Sequence, residues 1–555
     1  MHFSFLQSRS TFTHISAETQ RAKCPAVHHC LSRSCCLLWV EMLLLLGLLC
    51  SIWAEPAQGL EEDGGFRFEG DLRLLTVSND SVYIATEEKL YQLSHDLVLI
   101  HSLTQRGILK NPNDENSQEF YRVSMNGAWN KTFTVNVLLP FVNNDTLISC
   151  GATEQNCGFC EVLDLKNISK VLHKELIQVG PLRSISGSVS FLVDVKDSVQ
   201  TETYILTAIE NHTKTEKKTD SCPSDLGMIN LHNTNYKQDG DIFSFSGPNI
   251  PPRITAKADV EFVDGFQINS TVYLFSNVAS GNKPNKVCLV WLQAETSKSE
   301  TLKSLHGATL RTSDGGEDSK LLASSVIPGG QQVLWSGVFS LDGGPTNTEL
   351  LLFDISPDGY NQTYTDPDCF NKPKTSNKQS EPHTLKPKVV LLKHNHMRSV
   401  LAVRHDGWIV FFIGTTDGLL LKLAVDINHK PTCPKVLYRA GGKHKFPKIH
   451  LDQVDPKHVY LQFENKIERV PVSKCGVHQN VKDCLSAQDP HCVWCVSADS
   501  CTFKDHCTDS EWLSIPNELQ TKMVSHQVMK DSHGKIKLMI QTHLTVEQKL
   551  HFNFT

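Results

Sequence analysis

The chain has 555 residues, of which 40% are hydrophobic and 21% charged, and its formal net charge is −6. This length exceeds one typical domain, and the apolar content is sufficient for a substantial core. Lysine and arginine are scattered and form no basic stripe, which excludes the electrostatic footprint of a nucleic-acid-binding protein. Composition therefore predicts a folded chain of more than one domain with no nucleic-acid partner.

A short apolar run near the N-terminus extends from Leu43 to Trp53. It is too short to span a bilayer but suits the core of a signal peptide, with Ala54 as the small residue before cleavage. We therefore expect residues 1–54 to be a leader and signal peptide that starts at Met1 or Met42, with an uncleaved signal anchor as the alternative. No apolar run of about 20 residues follows, so we expect no transmembrane helix after the leader and a secreted or extracellular location.

Asn-x-Ser/Thr triplets and the distribution of cysteines agree with export. Thirteen of the 18 cysteines follow Ala54, and such a density predicts disulfides in an exported protein. Each triplet is a weak signal alone, but most lie beside turn-forming residues that tolerate a glycan. The predicted glycosylation sites are Asn79, Asn130, Asn144, Asn167, Asn211, Asn269, Asn361 and Asn553.

Between about residues 66 and 473 the sequence consists of short runs rich in Val, Ile, Tyr, Phe and Leu, a composition typical of β-strands. Strand–turn–strand units recur at 81–93, 408–423 and 459–470, and Asp417-Gly418 marks one hairpin turn. Such recurrence, with no clear linker before residue 473, favours a β-propeller over two stacked β-sandwiches.

Helical periodicity is scarce, and the segment 171–179 is the one modest helix candidate. Two polar stretches, 211–241 and 366–387, are expected to be exposed loops outside the propeller strands. Each is either a binding loop or a solvated insertion without a partner.

The segment from Cys475 to Cys507, which we call the cysteine module, holds six cysteines and is too short to fold on a hydrophobic core alone. Three disulfides are the favoured interpretation, each contributing about 2–4 kcal/mol. The C-x-x-C motif at 492–495, with His491 beside it, also fits the spacing of a zinc or redox site. Export argues against zinc, and the lack of a strand-to-helix context argues against redox chemistry. The second C-x-x-C motif, at 157–160, has the same interpretation.

No catalytic motif is present: the sequence lacks a phosphate loop, a dinucleotide-binding glycine motif, H-E-x-x-H and G-x-S-x-G. The spacing of His394 and His396 could suit a metal, but a solvated pair is the favoured interpretation. Trp335 and Trp408 are expected in propeller strands, and Trp494 in the core of the cysteine module. We therefore predict no enzyme, catalytic residue, metal, cofactor or small-molecule substrate.

The cysteine module resembles the PSI module of plexins, semaphorins and integrins. Its sequence at 483–503, DCLSAQDPHCVWCVSADSCTF, is similar to that family's CL…DPxCxWC…C core. Upstream, the segments at 412–423 (FIGTTDGLLLKL), 433–438 (CPKVLY) and 150–163 resemble sema domains. The resemblance covers about residues 66 to 510, and among these families it is strongest to the C-type plexins.

The resemblance implies an all-β fold: a seven-bladed sema propeller at 60–472, a disulfide-rich PSI module at 474–515 packed against its side, and the start of an immunoglobulin-like IPT segment at 516–555. The usual fourth PSI bridge has no counterpart, because Val481 stands where one of its cysteines would fall and no cysteine follows Cys507. The implied disulfides are Cys475–Cys492, Cys484–Cys501 and Cys495–Cys507, with Cys150–Cys160 preferred in the propeller.

By function, the resemblance implies a receptor ectodomain that binds a semaphorin through its propeller and acts in cell guidance and adhesion signalling, as a soluble or truncated form. One alternative is a semaphorin-type secreted ligand with the same architecture, although the segment after Pro516 lacks the cysteine-bridged immunoglobulin domain expected of it. An alternative of another class is a secreted propeller hydrolase, for which the sequence offers no motif.

Overall fold

A computed structural model describes the chain between Gly65 and Val546, with gaps. Its described residues are 65–87, 89–104, 106–110, 118–122, 133–153, 158–175, 177–182, 185–196, 201–210, 226–235, 243, 254, 258–280, 283–294, 297–315, 319–344, 346–356, 369–370, 384–440, 448–507, 511–516, 524–530, 536–542 and 545–546. Strands dominate these ranges, so the predicted all-β class is confirmed.

Seven sheets, which we call blades 1 to 7, follow one another along the described chain after strand β1 (Gly65–Arg67). Blade 1 contains β2 (Leu72–Val77), β3 (Val82–Thr86), β4 (Lys89–Leu93) and β5 (Leu99–Thr104). A separate hairpin of β6 (Arg106–Lys110) and β7 (Gln118–Arg122) comes next. Blade 2 contains β8 (Phe133–Phe141), β9 (Thr146–Thr153), β10 (Gly158–Asp164) and β11 (Val171–Glu175). Blade 3 contains β12 (Val189–Lys196), β13 (Thr201–Ala208) and β14 (Ile229–Asn233).

The next three blades repeat the antiparallel pattern. Blade 4 contains β15 (Asp259–Ile268), β16 (Thr271–Ser280), β17 (Lys283–Gln293) and β18 (His306–Leu310), and helix α1 (Lys298–Lys303) connects the last two. Blade 5 begins with β19 (Lys320–Val326), β20 (Leu334–Ser340) and β21 (Asn347–Asp354). The short strand β22 (Thr384–Leu385) follows in the chain and pairs with β18 of blade 4. Strand β23 (Val389–Asn395) then completes blade 5. Blade 6 contains β24 (Met397–His405), β25 (Trp408–Thr415), β26 (Leu419–Val425) and β27 (Lys435–Arg439).

Blade 7 closes the ring with strands from both ends of the propeller. It contains β28 (Ile449–Leu451), β29 (His458–Gln462) and β30 (Lys466–Pro471), and β1 is its outer strand, with Phe66 opposite Ile467. The first strands of consecutive blades contact one another from β2 through β8, β12, β15, β19 and β24 to β28. An apolar cluster that includes Leu75 and Tyr460 joins blade 7 to blade 1. The seven sheets therefore form a closed β-propeller with the first strands innermost.

The middle strands carry apolar residues without alternation because both of their faces are covered by neighbouring blades. Strands β20 and β25 are buried at every position. Between blades 4 and 5, Phe275 stacks on Trp335 with ring centroids 4.0 Å apart. The core is thus a series of apolar layers between blades rather than one central cluster.

The cysteine module follows blade 7. It contains helix α2 (Val481–Ser486), β31 (Cys492–Cys495) and β32 (Ser500–Phe503). Just after the module, β33 (Trp512–Ser514) pairs with β31 and with β36 (Thr545–Val546). Helix α2 begins at Asn480, whose side chain accepts the backbone N–H of Asp483 at 2.9 Å. Between β33 and β36 the chain forms a hairpin of β34 (Val524–Lys530) and β35 (Ile536–Thr542). The assignment of 516–555 to the start of an IPT module remains a prediction.

Three local predictions were wrong within the described residues; the remainder of 211–241 and of 366–387 lies outside them. The helix candidate at 171–179 contains β11, the outer strand of blade 2. The expected loop at 211–241 contains β14, which is largely buried in blade 3. The expected loop at 366–387 contains β22 and the buried residues Cys369 and Phe370. In each case pairing or burial against a distant segment outweighs local composition.

Candidate interaction surface

Disulfides stabilise both the cysteine module and the propeller, where Cys433 is also disulfide-bonded. Within the module the bonded pairs are Cys475–Cys492, Cys484–Cys501 and Cys495–Cys507. Cys150–Cys160 links directly paired positions of β9 and β10, with Cα atoms 4.1 Å apart. Cys288–Cys369 joins β17 of blade 4 to a segment 81 residues away. Because Cys492 and Cys495 belong to different disulfides, the C-x-x-C motif at 492–495 offers no pair of thiolates to a metal.

Within the described ranges no group of three or more His, Cys, Asp or Glu side chains could hold a metal ion. His394 bonds through Nδ1 to the carbonyl of Asn395, and His396 occupies a turn with φ of 66°. These observations give the two histidines local structural roles.

A buried joint connects the cysteine module to blade 6. Trp408 and Ala424 of blade 6 share one apolar cluster with Leu485 and Trp494 of the module. This burial is enough to fix the module against the propeller, since each large apolar side chain contributes about 1.5–3 kcal/mol. The tryptophans at 408 and 494 therefore both lie in the joint.

An ion pair lies inside the same joint. Lys422, in the middle of β26, has a side chain that is 6% exposed; it donates to Asp489 Oδ1 at 2.6 Å and to the carbonyl of Val472 at 2.8 Å. Asp489 also accepts from Ser473 Oγ at 2.8 Å and from the backbone N–H of His491 at 3.0 Å. Burial lowers the pKa of Lys422. Burial acts to raise the pKa of Asp489, but contacts with His491 and Lys422 outweigh it and hold that pKa far below its usual range.

A second buried carboxylate joins blade 7 to blade 1. Asp452, whose side chain has no exposure, accepts from His95 Nδ1 and Tyr460 Oη at 2.9 Å each and from Arg469 Nε at 3.0 Å. It also accepts two backbone N–H groups of its own turn. Burial acts to raise the pKa of Asp452, but these hydrogen bonds together lower it. Since His95 lies between β4 and β5, the network ties the first blade to the last.

The predicted glycosylation sites that the structure describes all lie on one face of the ring. Asn79, Asn144 and Asn269 lie between the first and second strands of blades 1, 2 and 4, and Asn167 lies between the third and fourth strands of blade 2. All four are exposed. Because strands alternate in direction within each blade, these turns share one face, which we call the sequon face. Asn130, Asn211, Asn361 and Asn553 lie outside the described residues.

The opposite face, which we call the open face, carries the turns between second and third strands and the connections between blades. Its described exposed side chains include several carboxylates, some of them paired with lysine or arginine, as in Glu87 with Arg73 at 3.7 Å. Four others have no salt bridge in the described part of the chain: Asp71, Asp342, Asp417 and Glu464. The connections between blades also carry the exposed residues Arg311 and Lys448, so the described part of the open face presents charges of both signs.

Sequence reasoning missed both buried carboxylate networks. One signal was available for the joint: Lys422 interrupts the apolar run LLLKLAV, and a charge in a buried strand requires a partner. No comparable signal points to Asp452 or to the bond between Cys288 and Cys369, because their partners are distant in sequence.

Comparison with known proteins agrees with this architecture. The family model described as PSI, plexin repeat, matches residues 474–523. Plexin-C1 of Homo sapiens is 29% identical over 297 residues, which are 50% of this chain and 18% of that protein. Plexin-C1 of Mus musculus is 26% identical over 489 residues, which are 83% of this chain and 30% of that protein. The chain thus spans less than a third of either relative.

Solved structures share the fold. The full extracellular region of Plexin A4 superimposes with a TM-score of 0.61 at 19% identity, covering 80% of this chain and 50% of that one. A structure titled Drosophila Plexin A in complex with Semaphorin 1b gives a TM-score of 0.51 at 13% identity, covering 82% of this chain and 96% of that one. Among the described residues, no helix has the length and apolar character needed to cross a bilayer.

The chain thus combines a closed propeller, similar to the sema propeller of plexin ectodomains, with a disulfide-rich PSI module, and the sequence matches reported above are to plexins. The chain therefore resembles the extracellular region of plexins in sequence and in fold.

Proposed function

We propose that the chain is a semaphorin-binding receptor ectodomain that uses its propeller to engage the ligand in cell guidance and adhesion signalling. The observation that carries the proposal is the joint presence of a seven-bladed ring and a PSI module in a chain similar to Plexin-C1. The structure titled Plexin A in complex with Semaphorin 1b supports semaphorin as the ligand class.

We further propose that the ligand docks on the open face. Glycans on Asn79, Asn144, Asn167 and Asn269 would cover much of the sequon face. In the described residues the open face carries no predicted glycosylation site and exposes charges of both signs. A ligand with a complementary charge pattern would associate faster and be selected over other partners.

The test is surface binding of the purified secreted chain to a panel of semaphorin ectodomains, with reduced and alkylated protein as the reference. Saturable binding to one or two semaphorins, lost on reduction, is expected. No binding to any semaphorin, together with a stable homodimer in solution, would instead support the semaphorin-type ligand.

Glycan wedges test the docking face. Asp342→Asn with Gly344→Ser creates a triplet on the open face of blade 5, where an added Cβ at Gly344 meets its nearest atom at 3.4 Å. Lys430→Thr creates a matched triplet at Asn428, in the exposed turn between β26 and β27 on the sequon face. An open-face wedge should reduce binding at least tenfold, and the Asn428 wedge should leave it unchanged. The reverse pattern would place the ligand on the sequon face.

A further inference from the structure

Two histidines meet inside the joint between blade 6 and the cysteine module. His405, at the end of β24, and His491, just before β31, stack face to face with ring centroids 4.1 Å apart and an interplanar angle of 8°. His491 is 5% exposed, and its Nδ1 lies 3.5 Å from Asp489 Oδ1, beyond a good hydrogen bond. The two rings thus form a direct contact across the joint.

The charges around the two rings are nearly balanced when both imidazoles are neutral. From blade 6 they face Asp406 and Lys422, and from the module they face Asp489; Lys435 of blade 6 acts on Asp489 and Lys422 rather than on the rings. Lys504 of the module lies 3.4 Å from Asp406 at the edge of the joint. The Asp489 carboxylate is already engaged by the Lys422 ammonium. Little negative charge is left to compensate two further cations.

Protonation from solvent would place two imidazolium rings in contact beside Lys422. Like charges at this distance repel, and the buried position of His491 removes the water that would screen them. Burial is the largest cause that lowers the pKa of both rings, to about 4 for His491. A detached module would expose both imidazoles, and they would bind protons at their ordinary, higher pKa.

We propose that the stacked pair His405–His491 makes the joint acid-sensitive, so that the cysteine module is held on blade 6 less firmly in mildly acidic surroundings than at neutral pH. This inference does not depend on the identity of the ligand. The closed joint lowers the pKa of these histidines, so proton binding favours the open joint once the pH falls below the ordinary histidine pKa. Closure therefore weakens as the pH falls from about 6.5 towards 4. For His491 alone, the opening equilibrium should shift roughly 20-fold between about pH 7 and pH 5.

Hydrogen–deuterium exchange on the full chain, corrected for the intrinsic effect of pH, tests the proposal. Amides at 406–412 and 489–495 should lose at least tenfold in protection at about pH 5 relative to neutral pH, while the buried strand β20 keeps its protection. The double variant His405→Phe with His491→Phe keeps two stacked rings without titration, so its protection should not depend on pH. His429→Gln, in the turn between β26 and β27, is the control and should retain the wild-type response.

A second measurement needs no variant. Exchange at the imidazole C2 position, read by mass spectrometry, reports the titration of each histidine in the intact chain. Both rings should titrate below the ordinary histidine range while the joint is closed. Ordinary titration of both rings, unchanged protection at about pH 5, or a pH effect that persists in the double variant would overturn the proposal.

Discussion

Replacing Asp452 with asparagine should weaken closure of the propeller ring. The carboxylate is fully buried and serves donors from both blade 1 and blade 7, including His95, Tyr460 and Arg469. Asparagine retains one acceptor oxygen but turns an N–H group towards these donors and removes the charge that Arg469 faces. Removing one partner of a buried ion pair costs about 3–5 kcal/mol. Because Arg469 also contacts Asp455 at 2.8 Å, we expect the lower end, about 3 kcal/mol.

Urea unfolding of the secreted chain, followed by tryptophan fluorescence, measures this loss as a lower midpoint at unchanged slope. The matched control is Asp426→Asn in blade 6. Asp426 is also buried and accepts the backbone N–H groups of Asn428 and Lys430 within its own turn. We expect it to cost about 1 kcal/mol, the value of an ordinary turn hydrogen bond. A loss for Asp452→Asn no larger than for the control would refute a special role in ring closure.

Three further predictions concern the interior. Replacing Cys288 and Cys369 together with serine should lower the free energy of unfolding by up to about 4 kcal/mol, because the unfolded chain gains conformational freedom. The urea midpoint measures this loss, and an unchanged midpoint would mean that the disulfide constrains the unfolded chain little. Trp335→Ala should cost about 4 kcal/mol because it leaves a cavity beside Phe275, and Trp335→Phe should recover most of the urea midpoint; equal losses would contradict the packing argument. Burial lowers the pKa of His232 to about 4, so its contribution to stability should fall as the pH drops below about 6.5. His232→Gln should therefore flatten the pH dependence of the thermal unfolding temperature. An unaltered pH dependence would exclude His232 as its cause.

The parts of the fold that could be predicted from sequence are those with local signals. The hairpin at 408–423 became β25 and β26, with its turn at the predicted Asp417-Gly418, because β-rich runs and turn residues lie next to each other. The segment that forms β11 fits a helix as well as a strand by its apolar spacing, and only its pairing with β10 decides between them.

The joint could not be predicted for a different reason. Lys422 and Asp489 are 67 positions apart, and the sequence between them gives no sign that the two approach. The same is true of His405 and His491, whose stacking exists only because the cysteine module packs on blade 6. Sites of this kind depend on tertiary geometry, which the motifs that identify the family do not encode.

The pairing of β1 with β30 has a consequence for synthesis of the chain. Gly65 and its partner Glu468 are separated by about 400 positions, so at the usual rate of about 5–20 residues per second the first strand emerges from the ribosome tens of seconds before its partner. Throughout that time it presents an unpaired edge, which is the kind of surface that chaperones protect and that aggregation exploits. A defect at the very start of the propeller should therefore appear as a failure of its last-made blade, and as retention in the secretory pathway.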